Sequence, residues 1–263
     1  LNELLDIMAR LRGARGCPWD RVQTFASIAP YTIEEAYEVA DAIERDNTAD
    51  LKDELGDLLF QVVFLAQIAK EAGHFDFDAV AASIRDKLVR RHPHVFSAAA
   101  HDGSVSAVGI DEQSKVWENI KAAERTAAAA TSAVDGVPLA LPALMRAVKL
   151  SKRAARVGFD FQRPDETADK VAEELVEVRE AAAAADGAPS PETFEEVGDL
   201  LFAAANLARK LDVDAEAALR AANVKFERRF RGMERLAAER GQRFESLDLV
   251  AQEALWQDVK RGE

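Results

Sequence analysis

The chain has 263 residues, 48% hydrophobic and 31% charged, with a formal net charge of −13. That length suits about two domains, and the acidic balance argues against general binding to nucleic acid or to an anionic membrane. With Cys17 as its single cysteine, an internal disulfide is excluded, and a reducing, cytoplasmic compartment is expected.

No charged-then-apolar segment opens the chain, and its longest apolar run, around 58–69, is broken by Gln61 and Gln67. That run is too short to span a bilayer. Ala, Leu, Glu, Arg and Lys dominate while β-branched alternation is scarce, so the fold class is all-α.

In chain order, Leu4–Arg12 is predicted as a short amphipathic helix and Arg15–Asp20 as a loop, with Trp19 a packing anchor. A helix is predicted to begin at Thr32, whose spacing to Glu35 fits a capping box. It carries Glu34, Glu35 and Glu38 in EEAYE. The next helix carries Asp53, Glu54 and Asp57 in DELGDLLF, with Gly56 inside the run, where glycine costs about 1 kcal/mol against alanine. Such a glycine admits either a close approach to the backbone or tight helix packing. Glu71 and His74 form an ExxH pair, but a di-iron bundle needs two such pairs and the second half has no histidine. His74, beside Gly73, is therefore assigned to a loop or cap. A helix from Arg85 runs until Pro93, 97–111 is a surface loop, Trp117–Arg125 is a short helix, and 126–138 is an Ala-rich linker. The expected domains are thus 1–125 and 139–263.

The second half restarts with a basic amphipathic helix over Leu144–Val157 and a turn at Gly158–Asp160. Pro164 precedes a helix with Lys170, Glu173, Glu174 and Glu177. On it Val171, Leu175, Val178 and Ala182 mark the expected buried stripe, and Glu174 and Glu177, at i and i+3, project together from its rim. After a loop at Ala185–Pro191, a helix carries Glu195, Glu196 and Asp199. Its apolar positions, Val197, Leu200, Leu201, Ala204, Leu207, Ala208 and Leu211, run almost all round, so it is expected to be largely buried. Glu196, Asp199 and Asn206 form one polar line. An acidic pair on one helix is more often a solvated face. Two helices aiming four carboxylates at a common space make an oxygen-ligand site, and Mg²⁺ fits it best. From Asp214 a further helix brings Asn223, Lys225, Phe226, Glu227, Arg228 and Arg229. Its cationic face suits phosphate oxygens, in competition with surface pairing to Glu227 or Glu234. Trp256 either covers a base or plugs the core.

The acidic pattern occurs twice. EEAYE with DELGDLLF in the first half matches EELVE with EEVGDLLF in the second, and the register extends from Asp20 and Asp160 to Trp117 and Trp256. The chain is a tandem duplication. Each half is long enough for its own core, although helical halves of this kind need a partner to cover them.

These motifs, together with GCPWD, RRHPHVF and KFERRF, resemble the MazG family of nucleoside triphosphate pyrophosphohydrolases over essentially the whole chain. The resemblance implies two helical domains with four-helix-bundle-like cores, a homodimer, and Mg²⁺-dependent cleavage of nucleoside triphosphates between the α and β phosphates. The metal ligands it implies are Glu174, Glu177, Glu196 and Asp199, with Glu35, Glu38, Glu54 and Asp57 as a second set. It carries nucleotide contacts to Lys170, Glu173, Glu192, Thr193, Phe194, Glu195, the segment Lys225–Arg229 and Trp256. Glu173 is the first candidate to accept the proton of the attacking water. In the first copy Tyr31 replaces Lys170, Phe64 replaces Asn206 and Arg85 replaces Asn223, so activity is expected in the second copy. A second reading is a non-catalytic helical dimer that holds a metal, a nucleotide or a basic partner on its acidic faces.

Overall fold

The computed structural model describes residues 1–96, 109, 116, 117, 120 and 131–263, and their regular structure is helical throughout. The helix expected over Trp117–Arg125 lies largely outside the described residues. The chain divides into two compact units, Leu1–Ala123 and Glu124–Glu263. The first contains α1 (Asn2–Arg12), α2 (Pro18–Val22), α3 (Phe25–Glu44), α4 (Thr48–Glu71), α5 (Phe77–Arg91) and α6 (Pro93–Phe96). The second contains α7 (Ala143–Ala155), α8 (Pro164–Ala184), α9 (Pro191–Lys210), α10 (Ala215–Glu239), a 3₁₀ turn at Phe244–Ser246 and α11 (Leu249–Arg261). Among the described residues no helix is long and apolar enough to cross a membrane.

The principal pairing in each unit is a helical hairpin, α3 with α4 and α8 with α9. Both hairpins turn through an aspartate in the left-handed region, Asp46 at φ 52° and Asp186 at φ 50°. The next N–H then closes back on the helix, Asn47 to the Ala42 carbonyl at 3.1 Å and Gly187 to that of Ala182 at 3.3 Å. Aspartate tolerates this conformation better than most residues. His74 closes α4 in the same way: Gly73 is left-handed at φ 72°, and the His74 N–H reaches the Ala69 carbonyl at 2.9 Å. Its role is a helix cap.

Three predicted boundaries are wrong. The loop expected over Arg15–Asp20 turns helical at Pro18, and the helix expected from Arg85 begins at Phe77. α3 begins at Phe25, not Thr32, because Thr24 and Ser27 form a reciprocal capping box about two turns upstream of Thr32. Pro30 is accommodated inside the helix, and the Thr32 hydroxyl donates back to the Ile28 carbonyl at 3.3 Å. Glu35 is therefore a mid-helix residue like Glu174, and the capping box expected of Thr32 and Glu35 does not form.

The cores differ in substance. In the first unit Met8, Ile28, Val63, Phe64 and Ile68 form a cluster of large side chains, backed by Leu4, Leu11 and Phe60. The matching region of the second unit is built on Ala147, Ala205 and Ala215. A separate cluster of Met233, Ala237 and Leu255 joins α10 to α11. There Gly232 is required by close approach, since a Cβ would sit 2.9 Å from Val259 Cγ1.

Two burial expectations fail together. α9 is not largely buried: Val197, Leu201, Phe202 and Leu211 are exposed, and only Ala203 and Ala205 are enclosed. On α8, Leu175 and Val176 are exposed while Glu174 is only 6% accessible. Neighbouring residues stand about 100° apart around a helix. Turning the row of Lys170, Glu174 and Glu177 toward α9 therefore carries Leu175 outward. Nor do Gly56 and Gly198 mark tight packing, as a Cβ on either would meet nothing within 4 Å.

Candidate metal centre and active site

α8 and α9 bring Glu174, Glu196 and Asp199 together, with one carboxylate oxygen of each within 4.8 Å of the others. A carboxylate as enclosed as Glu174 must be paired. Lys170, one turn earlier, supplies the pair, its Nζ lying 2.8 Å from Glu174 Oε1 and 2.8 Å from Glu173 Oε1. Hydrogen bonds donated to Glu173 and then Glu174 hold the Lys170 ammonium above its ordinary range. Glu177 joins from the next turn. Its carboxyl is pushed up by desolvation first, then by a hydrogen bond shared with Glu174 and by the charges of Glu174 and Glu196, against the pull of Lys170.

Lys170 pairs with Glu174 alone of this cluster, and among the described residues Glu196 and Asp199 have no basic partner, so a further cation would relieve the repulsion of the gathered carboxylates. The donors are all oxygens, the preference of a hard divalent ion such as Mg²⁺ rather than of a softer metal.

The first unit repeats the geometry with different neighbours. Glu35, Glu38 and Glu54 also present oxygens within 4.8 Å of one another. Where α8 has Lys170, α3 has Tyr31, whose ring meets Trp19 edge-on at 6.0 Å. Gln61, at the position of Ala203, donates from Nε2 to Glu35 Oε1 at 3.1 Å, while its own Oε1 is buried without a partner. The Glu35 carboxyl is raised, chiefly by desolvation, with Gln61 opposing and Glu38 and Asp57 adding to the rise.

The remaining candidate residues sit on two other elements. Glu192, Thr193, Phe194 and Glu195 form the first turn of α9, where Ser190 caps the Thr193 N–H at 3.0 Å and Phe194 is 84% exposed. Phe226 on α10 stacks near Phe230 and meets Trp256 at 5.7 Å, and the Arg229 guanidinium lies 5.4 Å over the Trp256 ring. Trp256 is thus part of an aromatic cluster. Arg228 and Arg229 do not pair with Glu227 or Glu234. Both fork onto one carboxylate, Glu263, at 2.6 and 2.7 Å for the closest contacts. Glu227 pairs instead with Arg231 at 2.8 Å. Among the described residues no hydrogen bond or ion pair joins this group, or Asn223 and Lys225 beside it, to the α8–α9 carboxylates.

A further polar group had no signal in the acidic motifs. Asp160, in the turn after α7, is held by Arg209 and by Lys210 at 3.3 Å, and Lys210 also donates to the Phe161 carbonyl at 2.5 Å. Arg209 Nε donates to Asn206 Oδ1 at 2.8 Å. Asn206 therefore belongs to this anchor rather than to the carboxylate cluster.

Comparison with known proteins follows the same division. The MazG nucleotide pyrophosphohydrolase domain matches residues 23–96, and the phosphoribosyl-ATP pyrophosphohydrolase domain matches residues 141–225. A nucleoside triphosphate pyrophosphohydrolase of Escherichia coli (strain K12) is 53% identical over 266 residues, which cover 100% of this chain and 98% of that protein. The chain belongs to the MazG family. A second member, the nucleoside triphosphate pyrophosphohydrolase/pyrophosphatase MazG of Thermotoga maritima, is 42% identical over 100% of this chain and 96% of its own length. One helical hairpin lies in each matched segment: α3–α4 in the first, α8–α9 in the second.

Proposed function

We propose that this MazG chain hydrolyses nucleoside triphosphates between the α and β phosphates, releasing nucleoside monophosphate and pyrophosphate, at the α8–α9 carboxylate cluster. The observation that carries this reading is the convergence of Glu174, Glu196 and Asp199 within 4.8 Å, beside Lys170. The names of the relatives at 53% and 42% identity support the substrate class.

Glu174, Glu177, Glu196 and Asp199 would hold Mg²⁺, which when bound supplies charge neutralisation for the triphosphate and a more acidic water. Glu173 lies outside the enclosed cluster but is fixed by Lys170, so it is positioned to accept a proton from the attacking water. Lys170 can exchange its two carboxylate contacts for phosphate oxygens once the cluster is neutralised. Arg228 and Arg229 present fork geometry suited to the charge that develops on departing pyrophosphate. Lys225, Asn223 and the first turn of α9 complete the nucleotide contacts.

The exposed apolar residues around the cluster support a homodimer. Leu175, Val176, Val197, Leu201 and Phe202 stand uncovered beside Gly198, and a second copy would bury them at about 25 cal/mol per Å². The first unit is assigned a structural, regulatory or weaker role, because Tyr31 leaves its carboxylates without an ammonium.

The test is incubation of the pure protein with each NTP and dNTP plus Mg²⁺, with product analysis. Monophosphate and pyrophosphate are expected, with activity abolished by chelation. Release of orthophosphate alone contradicts the stated bond cleavage.

A further inference from the structure

The two arginines of α10 that suit phosphate oxygens are both closed onto one side chain. Arg228 donates to Glu263 Oε1 from Nε at 3.1 Å and from Nη2 at 2.6 Å, and Arg229 donates to Oε2 from Nε at 3.0 Å and from Nη2 at 2.7 Å. Each oxygen thus accepts a whole guanidinium edge, and the carboxylate takes four charge-assisted hydrogen bonds. An exposed ion pair is ordinarily weak, because two long side chains must be ordered to make it. Here the surrounding packing does that ordering.

Glu263 follows directly on α11, whose last turn closes with the Gly262 N–H on the Val259 carbonyl at 3.1 Å. α11 is in turn fixed to α10. Leu255 lies in one cluster with Met233 and Ala237, Val259 occupies the space left by Gly232, and Asp258 accepts from Arg240 at 2.6 Å. On the other side of the contact, the Arg229 guanidinium lies 5.4 Å over the Trp256 ring. Two guanidinium groups drawn together from adjacent residues repel each other, and the carboxylate between them relieves that repulsion. Arg229 and then Arg228 hold the Glu263 carboxyl down to about 2, so it is charged throughout the neutral range.

A carboxylate offers a guanidinium the same pair of anionic oxygens that a phosphate does. We infer that Glu263 is an internal stand-in for pyrophosphate, a latch that keeps Arg228 and Arg229 aligned in the free protein and competes with phosphate oxygens for them. The inference rests on the proposed reading of Arg228 and Arg229 as contacts of the departing pyrophosphate. Substrate engages the two forks only by displacing Glu263, and the carboxylate closes on them again as product leaves. Its consequence is a lowered affinity, since a site whose open form is a fraction of the population binds more weakly by that fraction. Glu263 is thus a positioning residue that sets how firmly pyrophosphate is held.

The decisive experiment titrates the full chain with inorganic pyrophosphate and Mg²⁺ by calorimetry, alongside pyrophosphate inhibition of NTP turnover. Glu263→Gln keeps the side-chain length and one carbonyl acceptor but removes the charge. Glu234→Gln removes the same charge from an exposed position of α10 outside the fork. The expected result is a pyrophosphate Kd and inhibition constant at least fivefold lower in Glu263→Gln, with Glu234→Gln within twofold of the parent. The gain should vanish when Arg228→Ala and Arg229→Ala are added to Glu263→Gln. A carboxylate that only braces the end of α11 predicts the opposite sign, a lower Tm with weaker pyrophosphate binding. Unchanged or weaker binding in Glu263→Gln overturns the inference, as does an equal gain in Glu234→Gln or a gain that survives loss of the two arginines. Absence of pyrophosphate binding in both the parent and Glu263→Gln overturns it as well. If the parent turns over no NTP, the activity reading fails separately, and the calorimetric titrations still decide the latch.

Discussion

Asp160→Asn tests how the second unit anchors the turn after α7 to α9. Asp160 side-chain exposure is 21%, and its partners Arg209 and Lys210 are 10% and 13% exposed. Removing one member of a largely buried pair costs about 3–5 kcal/mol, because the remaining charges stay desolvated. Asparagine keeps a carbonyl acceptor for Arg209, and Lys210 keeps the Phe161 carbonyl, which lowers the expected loss to about 2–3 kcal/mol. For a unit of this size that corresponds to a Tm lower by about 8 °C. Burial pushes the Asp160 carboxyl up, but hydrogen bonds and charges from Arg209 and Lys210 outweigh it, and the net shift is downward. A carboxyl depressed in the folded state stabilises fully above its unfolded pKa of about 3.9 and loses that contribution as pH falls through the folded value. Scanning calorimetry of parent and variant should therefore show the full gap at pH 7, narrowing as the pH drops below about 4. A gap under about 3 °C at pH 7, or one of equal size under acid, would refute the reasoning.

Glu196→Gln should lower kcat/KM by at least about 10³-fold and abolish Mn²⁺ binding measured by calorimetry, and parent-level binding would remove Glu196 from the ligand set. Activity should fall far more in Glu177→Gln with Asp199→Asn than in Glu38→Gln with Asp57→Asn; equal losses in steady-state assays would contradict the assignment to the second unit. Phe64→Ala should destabilise the first unit by about 3–5 kcal/mol in chemical denaturation while leaving kcat intact. The Glu263 carboxyl, held down to about 2 by Arg229 and Arg228, should titrate there by carbon NMR and return to the ordinary glutamate range in the Arg228→Ala, Arg229→Ala protein. Its contribution to stability is present above about 4.5 and disappears as pH falls toward 2.

Local patterns proved legible where the cause was local. Pro164 opens α8 at its first position, Asp214, where a helix was expected to begin, caps α10 through the Ala217 N–H at 3.0 Å, and Gly73 with His74 ends α4. The boundary at Thr32 failed because two capping boxes stood in competition, and the upstream one, Thr24 with Ser27, also brings Ile28 into the core. The partner of Arg228 and Arg229 was invisible because Glu263 is 34 residues from Arg229 along the chain. The unmade hydrogen bond of Gln61 likewise depends on what α3 presents to it.

The sequence by itself determined the helical class, the duplication and the acidic row on each hairpin, since spacing along one helix dictates which side chains share a face. Only the tertiary structure decided which face turns inward. Leu175 and Glu174 are neighbours, and the apolar one was the natural choice for burial. The packing of α8 on α9 encloses the carboxylate instead, because Lys170 supplies the charge compensation that a lone buried glutamate lacks. The same holds for Phe64 and Asn206. The exchange is plain in the sequence, but that a cavity opens beside Asn206 is decided by where Phe159, Phe161 and Phe202 stand around it.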